Sequence, residues 1–147
     1  MTSVMSGKTT SQLLAGAVAL VFLLVGVLGF VPGLTTHYDS MSFGGHHSGA
    51  LLLGVFAVSG LHNIVHLLFG VAGLVLARTA AGARAFLIGG GAIYLVLWLY
   101  GLVIDQASAA NFVPVNTADN WLHLALGVGM IVLGVVTGRR VTSTARG

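Results

Sequence analysis

The sequence predicts an all-α fold, an integral membrane four-helix bundle made of two tandem helical hairpins in parallel. Of the 147 residues, 56% are hydrophobic and only 6% are charged, whereas a soluble domain carries about 25% charged residues. Four apolar stretches each approach the ~20 residues needed to cross ~30 Å of hydrocarbon. A pattern in the second stretch returns in the fourth, which indicates an internal repeat.

The composition excludes several classes of function. The chain has no cysteine, so disulfides, thiolate metal sites and cysteine nucleophiles are excluded. The net charge of +3 is the balance of six basic and three acidic residues, and the scattered basic residues form no patch for nucleic acid. Few charges remain for a domain outside the bilayer. We therefore expect one membrane domain, residues 1–147, with the lipid bilayer as a partner and no nucleic acid.

The predicted spans are residues 12–31, 60–77, 84–104 and 117–137. The first apolar run is longer than the ~7–15 residues of a signal-peptide core and is followed by no A-x-A cleavage site, so we interpret it as a retained span. Residues 36–58 form the longer outer loop. Its polar part is predicted to be irregular, and residues 51–58, too short to span, are expected to lie at the membrane interface.

The charged residues indicate an orientation. The basic residues lie before the first span, between the second and third, or after the fourth: Lys8, Arg78, Arg84, Arg139, Arg140 and Arg146. The acidic residues lie in or beside the other two loops: Asp39, Asp105 and Asp119. With four spans, all six basic residues fall on one side, and the positive-inside rule makes that side the cytoplasm. Both termini are predicted to be cytoplasmic.

The repeat is clearest in two short segments. Residues 63–71 read "NIVHLLFGV" and residues 120–128 read "NWLHLALGV", an offset of 57 positions. The same offset relates Ser59 to Asn116, and both residue types are favoured helix N-caps. We predict two copies of a two-helix hairpin, related by a pseudo-two-fold axis along the membrane normal.

Polar residues and glycines share one face of the second and fourth spans. The two stripes are Asn63, His66, Gly70 and Gly73, and Asn120, His123, Gly127 and Gly134. Glycine lets helix backbones approach, and an amide or imidazole bonds across the gap. We expect the stripes to meet near the bundle axis, where His62, Asp119 and the opposite amide are candidate partners for the imidazoles. The predicted structural polar cluster is Asn63, His66, Asp119, Asn120 and His123.

Three functional interpretations compete with this structural one. A haem b between His66 and His123 suits two histidines at matched depth, but every Arg and Lys lies at the opposite end, away from the propionates. A Zn or Cu site has two possible sets of ligands. These are His62, His66 and His123 from the helices, or His46, His47 and Met41 from the outer loop. A proton or small-solute pathway is disfavoured, because the inner half of the spans has no charged residue.

The third span carries Tyr94, Trp98 and Gly101 on one face. Aromatic packing within the bundle explains this face. A quinone or lipid pocket between it and the histidines is the alternative.

The sequence favours a non-enzymatic role. The chain is small, its loops are short, and no nucleophile–base pair is evident. We expect an accessory or assembly subunit of a larger cell-envelope complex, without a cofactor, whose partner is another membrane protein or a second copy. The alternative is a small redox or metal- or haem-binding protein that uses the outer histidines.

Three segments resemble an actinobacterial family of small membrane proteins, domain of unknown function 4383. They are "GLHNIVHLLFGVAGLVLAR", "AIYLVLWLYGL" and "VPVNTADNWLHLALGVGMIVLG". The resemblance covers roughly residues 12–137, and the paired N-x-x-H-L-x-x-G-V segments are its most specific part. It implies a four-span protein of the bacterial inner membrane and supplies no activity, cofactor or catalytic residue.

Overall fold

Four helices account for most of the chain in the computed structural model, which describes residues 7–144 and the side chains up to residue 138. Arg146 and the side chains of Arg139 and Arg140 lie outside the described residues. The helices are α1 (Thr10–Leu28), α2 (Gly60–Leu76), α3 (Ala80–Val103) and α4 (Thr117–Thr144). A 3₁₀ turn covers Tyr38–Ser40, and three short strands are β1 (Thr35–Thr36), β2 (Leu51–Leu52) and β3 (Phe56–Ala57).

Three of the helices are long and apolar enough to cross a membrane: α1, α3 and the part Thr117–Gly138 of α4. Helix α2 is also apolar but has 17 residues, which at ~1.5 Å per residue falls short of ~30 Å of hydrocarbon. The fold is thus mostly helical and is that of a small membrane protein.

Helix α1 begins at a reciprocal cap. The Thr9 amide donates to Gln12 Oε1 at 3.0 Å, and the Gln12 amide donates to Thr9 Oγ1 at 3.3 Å. The Gln12 side chain also donates to the carbonyl oxygens of Ala77 and Arg78, at 3.2 and 2.8 Å. These bonds join the start of α1 to the turn between α2 and α3, so Lys8, Arg78 and the start of α3 lie at one end of the bundle.

The short helix α2 begins beneath the outer loop. Its first amides, those of Gly60 and Leu61, donate to the carbonyl oxygens of Ser42 and Phe43, at 3.0 and 2.6 Å. The His62 amide donates to the side chain of the N-cap Ser59 at 3.0 Å. A helix end buried in protein needs such acceptors, because neither lipid nor a preceding turn supplies them. The loop backbone therefore continues the hydrogen bonding that a longer helix would provide.

The helices pack mainly as two hairpins, α1 with α2 and α3 with α4, and α1 also contacts α3 across the bundle. Helices α2 and α4 make almost no backbone contact. The central core consists of Ala15, Ala19, Phe22, Ala77, Ala83, Phe86, Leu87, Tyr94 and Met130. Alanines and glycines on the facing surfaces allow close approach of the backbones.

The strands form a small antiparallel sheet in the order β1-β2-β3. Leu52 and Val58 in this region are buried against Val25 and Leu28 of α1, so the sheet covers the end of the bundle opposite to Lys8 and Arg78. This sheet departs from the predicted all-α fold. It falls where the sequence predicted an irregular loop and the interfacial segment 51–58. Strands of two residues are too short to produce an alternating pattern.

Helix α3 begins at Ala80, before the predicted start of the third span at residue 84. Thr79 is the N-cap, and its hydroxyl accepts the Gly82 amide at 3.0 Å. The side chain of Arg84 reaches across to α4, where its Nε donates to the Gly134 carbonyl at 3.2 Å. Arg84 thus joins the two helices of the second hairpin at the same end as Lys8.

Candidate functional site

Three histidines lie between α2 and α4, where the two helix backbones are apart. The ring centroids of His62 and His66 are 4.5 Å apart, and those of His62 and His123 are 6.5 Å apart. The exposed fractions are 3% for His62, 9% for His66 and 4% for His123. We call these three residues the histidine cluster. The structure thus places the predicted histidines of α2 and α4 inside the bundle.

Aromatic rings from the other two helices close the histidine cluster on its inner side. Phe22 of α1 lies 6.0 Å from His66, and Tyr94 of α3 lies 5.2 Å from His123, measured between ring centroids. Phe22 and Tyr94 stack on each other at 5.3 Å with an interplanar angle of 29°. The sequence pointed to Tyr94 but not to Phe22.

The two asparagines do not meet across α2 and α4, so that prediction is wrong. Asn120 Nδ2 donates to the Gly101 carbonyl of α3 at 3.1 Å. Asn63 lies against Gly29, just past the end of α1, and its Nδ2 is 4.0 Å from Met41 Sδ. A methyl group on either glycine would collide with the asparagine side chain. Asn120 therefore bonds α4 to α3, whereas Asn63 packs against the end of α1 without a hydrogen bond to it.

Asp119 binds backbone amides and not an imidazole. Its Oδ2 accepts the Ala57 amide at 3.0 Å and the Asn116 amide at 2.9 Å. The Asn116 side chain in turn donates to the Val55 carbonyl at 2.8 Å. Asp119 and Asn116 thus hold the β2–β3 hairpin onto the start of α4, and the expectation that Asp119 pairs with a histidine is corrected.

The loop histidines form a separate pair. His46 and His47 stack with centroids 3.8 Å apart, and they are half-buried and exposed, respectively. Met41 contacts Asn63 instead of joining them. Within the described residues, no three His, Asp or Glu side chains are arranged to hold a metal ion.

Two cavities adjoin the histidine cluster, and all three histidines line both of them. The first, of about 140 Å³, lies between α2 and α3 and includes Tyr94 and Tyr100 in its wall. The second, of about 240 Å³, lies between α1, α4 and the β2–β3 hairpin. Apart from the histidines and Asp119, the wall of the second cavity is aliphatic or aromatic.

The Nδ1 atoms of His62, His66 and His123 are buried without a hydrogen-bond partner. Leaving a buried polar atom unpaired costs about 1–3 kcal/mol. A neutral imidazole offers one donor and one acceptor. These three nitrogens have almost no accessible surface, so the walls that the two cavities present are nearly all apolar.

The helices and the buried polar cluster together define a small helical membrane protein. A family model, that of domain of unknown function 4383 (DUF4383), matches residues 12–136. The chain belongs to this family, which confirms the resemblance seen in the sequence. Comparisons with curated proteins and with solved structures found no match.

Proposed function

We propose that the chain crosses the bacterial inner membrane four times with both termini in the cytoplasm. Support comes from the charges: Lys8, Arg78 and Arg84 lie at one end of the bundle, and Asp119 lies at the other, against the sheet. Cytoplasmic segments are enriched in Lys and Arg. A reporter that is active only in the cytoplasm should work when fused after Gly147 and fail when inserted in residues 105–110. Activity of an export-dependent reporter fused after Gly147 would refute this topology.

We also propose that the chain is a duplicated hairpin with two parallel copies. Equivalent contacts support it. Gly70 adjoins Leu23 and Ala19 of α1, and Gly127 adjoins Leu95 and Gly91 of α3. The partners in α1 and α3 are 72 positions apart, and the glycines are 57 positions apart.

The ring contacts follow the same correspondence. Phe22 contacts His66, and Tyr94 contacts His123; these two pairs are related by the same shifts of 72 and 57 positions. The 15-residue difference between the two shifts is the extra length of the first outer loop, which forms the sheet. A pseudo-two-fold axis would then pass between Phe22 and Tyr94.

We infer that the protein acts without catalysing a reaction, as an accessory or assembly subunit of a larger cell-envelope complex. The observation that carries this proposal is that buried polar side chains bond the backbone of neighbouring elements. Asp119, Asn120 and Thr35 bond backbone atoms and hold elements of the chain together. In the part of the chain described, no hydroxyl group is hydrogen-bonded to an imidazole as a nucleophile would be to its base.

Affinity purification from native membranes in mild detergent, followed by mass spectrometry, tests the accessory role. A partner that co-purifies in fixed ratio with the tagged chain, but not with an unrelated four-helix membrane protein carrying the same tag, supports it. Recovery of the chain alone would contradict a heteromeric complex; a mass of two copies would then indicate a homodimer, and a mass of one copy would indicate a monomer.

A metal- or haem-binding redox protein is the second candidate. The unpaired Nδ1 atoms of the histidine cluster favour it, because imidazole nitrogen is a common ligand for Zn, Cu and haem iron. Protein purified from native membranes should then show a Soret band or contain Cu or Zn in stoichiometric amount. Absence of both from protein that retains its fold would remove this candidate.

A further inference from the structure

The side chain of Arg84 is held in one position by the second hairpin. Its Nε donates to the Gly134 carbonyl of α4 at 3.2 Å, and a Cβ at Gly138 would overlap the guanidinium group. The guanidinium therefore lies directly over the backbone of α4. Within residues 7–138, whose side chains the structure describes, its other four N–H groups have no acceptor.

Arg84 has no carboxylate side chain to pair with. The chain has three acidic residues, Asp39, Asp105 and Asp119. Asp105 follows the far end of α3, about 31 Å from Arg84 at ~1.5 Å per residue. Asp119 binds the sheet at that same end, and Asp39 belongs to the loop that carries the sheet. A cation at the edge of the hydrocarbon is stabilised by an anion beside it, and no acidic side chain of this chain supplies one.

A groove runs from Arg84 along the exposed side of α3. It has a volume of about 520 Å³ and is lined by Ala81, Arg84, Ala85, Ile88 and Gly89. A Cβ at Gly89 would meet no atom within 4 Å, so the described part of the chain leaves the groove uncovered there. From Ala81 to Gly89 the groove extends for about 12 Å along the helix, at ~1.5 Å per residue.

The two ends of this groove differ in charge. At one end, the guanidinium of Arg84 and the N-terminus of α3, which begins at Ala80, both favour an anion. Beyond Arg84, the wall consists of Ala85, Ile88 and Gly89, which offer apolar contact. This end lies nearer the middle of the helix and therefore of the hydrocarbon. A molecule with an anionic head and a hydrocarbon tail matches both ends.

We propose that the groove binds an anionic phospholipid. The free N–H groups of Arg84 donate to oxygen atoms of the lipid phosphate, for which the planar guanidinium is well suited, and one acyl chain lies over Ala85 and Gly89. A second copy of the chain matches the groove less well, because a symmetric contact would bring two Arg84 cations together without a carboxylate. The proposal requires a membrane protein, but it depends neither on its orientation nor on the accessory role.

Native mass spectrometry of the unaltered protein in detergent tests the proposal, since it counts bound lipids and gives a Kd. Dioleoylphosphatidylglycerol is anionic, and dioleoylphosphatidylcholine has the same acyl chains and a phosphate but also carries a choline cation. The anionic lipid should bind about fivefold more tightly, because choline would add a cation beside Arg84. Sodium phosphate in large excess should not displace it, because the free ion gains no contact along the groove.

A matched pair of variants assigns the head group. Arg84→Gln removes one charge inside the groove and should raise the Kd of phosphatidylglycerol about tenfold, the effect of losing a charge-assisted hydrogen bond. Arg78→Gln removes one charge from an exposed residue in the turn before α3 that does not line the groove. It should raise the Kd by less than about twofold.

A second pair of variants assigns the acyl chain. Gly89→Leu fills the groove and should raise the Kd about threefold through lost apolar contact. Gly129→Leu adds the same side chain to an exposed glycine of α4 that also has open space around it, and should leave the Kd unchanged. Neither new Cβ meets a protein atom, so both variants should fold. This pair decides if Arg84→Gln does not fold.

Four results would overturn the proposal. An equal Kd for the two lipids would exclude selection of an anion. Equal effects of Arg84→Gln and Arg78→Gln would reduce the site to the general positive charge of this end. Displacement by sodium phosphate would assign Arg84 to a free anion, and a dimer that Gly89→Leu dissociates would assign the groove to a second copy. None of these results bears on whether a partner co-purifies, so this proposal and the accessory role fail separately.

Discussion

The rings of Phe22 and Tyr94 stack at a centroid distance of 5.3 Å in the centre of the bundle. Each ring also contacts one histidine of the cluster, Phe22 with His66 and Tyr94 with His123. The stack therefore joins the two hairpins at their middle and forms the inner wall behind the histidines.

This stack should contribute a measurable coupling energy. In a double-mutant cycle with Phe22→Leu and Tyr94→Leu, we expect about 0.5–1.5 kcal/mol of coupling in the free energy of unfolding, the range for aromatic pairs. Thermal unfolding in detergent measures it. The control cycle pairs Tyr94→Leu with Leu13→Ala, because Leu13 is 59% exposed on α1. A coupling no larger than that of the control would mean that the rings pack independently.

Gly101→Ala should destabilise the second hairpin. A methyl group at this position would meet the Asn120 side chain, whose Nδ2 donates to the Gly101 carbonyl at 3.1 Å. We expect a loss of about 1–3 kcal/mol, the usual cost of overpacking, seen as a lower unfolding midpoint. Gly89→Ala is the matched control on the same helix, because a methyl group there meets no atom within 4 Å. It should be neutral or stabilise by up to about 1 kcal/mol.

Gly70→Ala and Gly127→Ala should have similar effects if the hairpins are equivalent. A Cβ would lie 2.9 Å from the Ala19 carbonyl oxygen in the first case and 3.0 Å from the Gly91 carbonyl oxygen in the second. We expect each variant to lose about 1–3 kcal/mol, with the two values within about 0.5 kcal/mol of each other. Gly129→Ala, with open space around it, serves as the control. Tolerance of one change and failure of the other would count against equivalent packing.

Asp119→Ala should loosen the sheet without unfolding the helices. The substitution leaves the Ala57 and Asn116 amides without their acceptor. An unpaired buried donor lowers the free energy of unfolding by about 1–3 kcal/mol. Hydrogen exchange of the Ala57 amide should accelerate, while amides in the middle of α3 remain protected. Asp39→Ala removes an exposed carboxylate and should leave the exchange rates of the Ala57 amide and of the α3 amides unchanged. Unchanged protection of Ala57 in Asp119→Ala would contradict the role given to this carboxylate.

The helices were predictable because long apolar runs and N-caps are local features of the sequence. His66 and His123 each share a helix face with glycines, and the structure buries both. The neighbours of Asn63 and Asn120 could not be predicted from the sequence. Gly29 and Gly101 reach them only because another helix packs against α2 and α4.

Phe22 was missed for another physical reason. Helix α1 is apolar on every side, so hydropathy does not separate the face toward lipid from the face toward the core. The size of the side chains could have identified the buried face of α1. The buried positions of α1 include Ser11, Ala15, Ala19 and Gly26, and a stripe of small residues marks the side on which helices approach closely.

The bonds from Asp119 and Asn116 to the β2–β3 hairpin have a consequence for biosynthesis. Residues 51–57 are synthesised well before residues 116–119, yet the Ala57 amide and the Val55 carbonyl find their partners at the start of α4. The β2–β3 hairpin therefore lacks these two hydrogen bonds until residues 116–119 have been made. In chains truncated before Asn116, this edge of the sheet has no partner and the Ala57 amide should exchange rapidly with solvent.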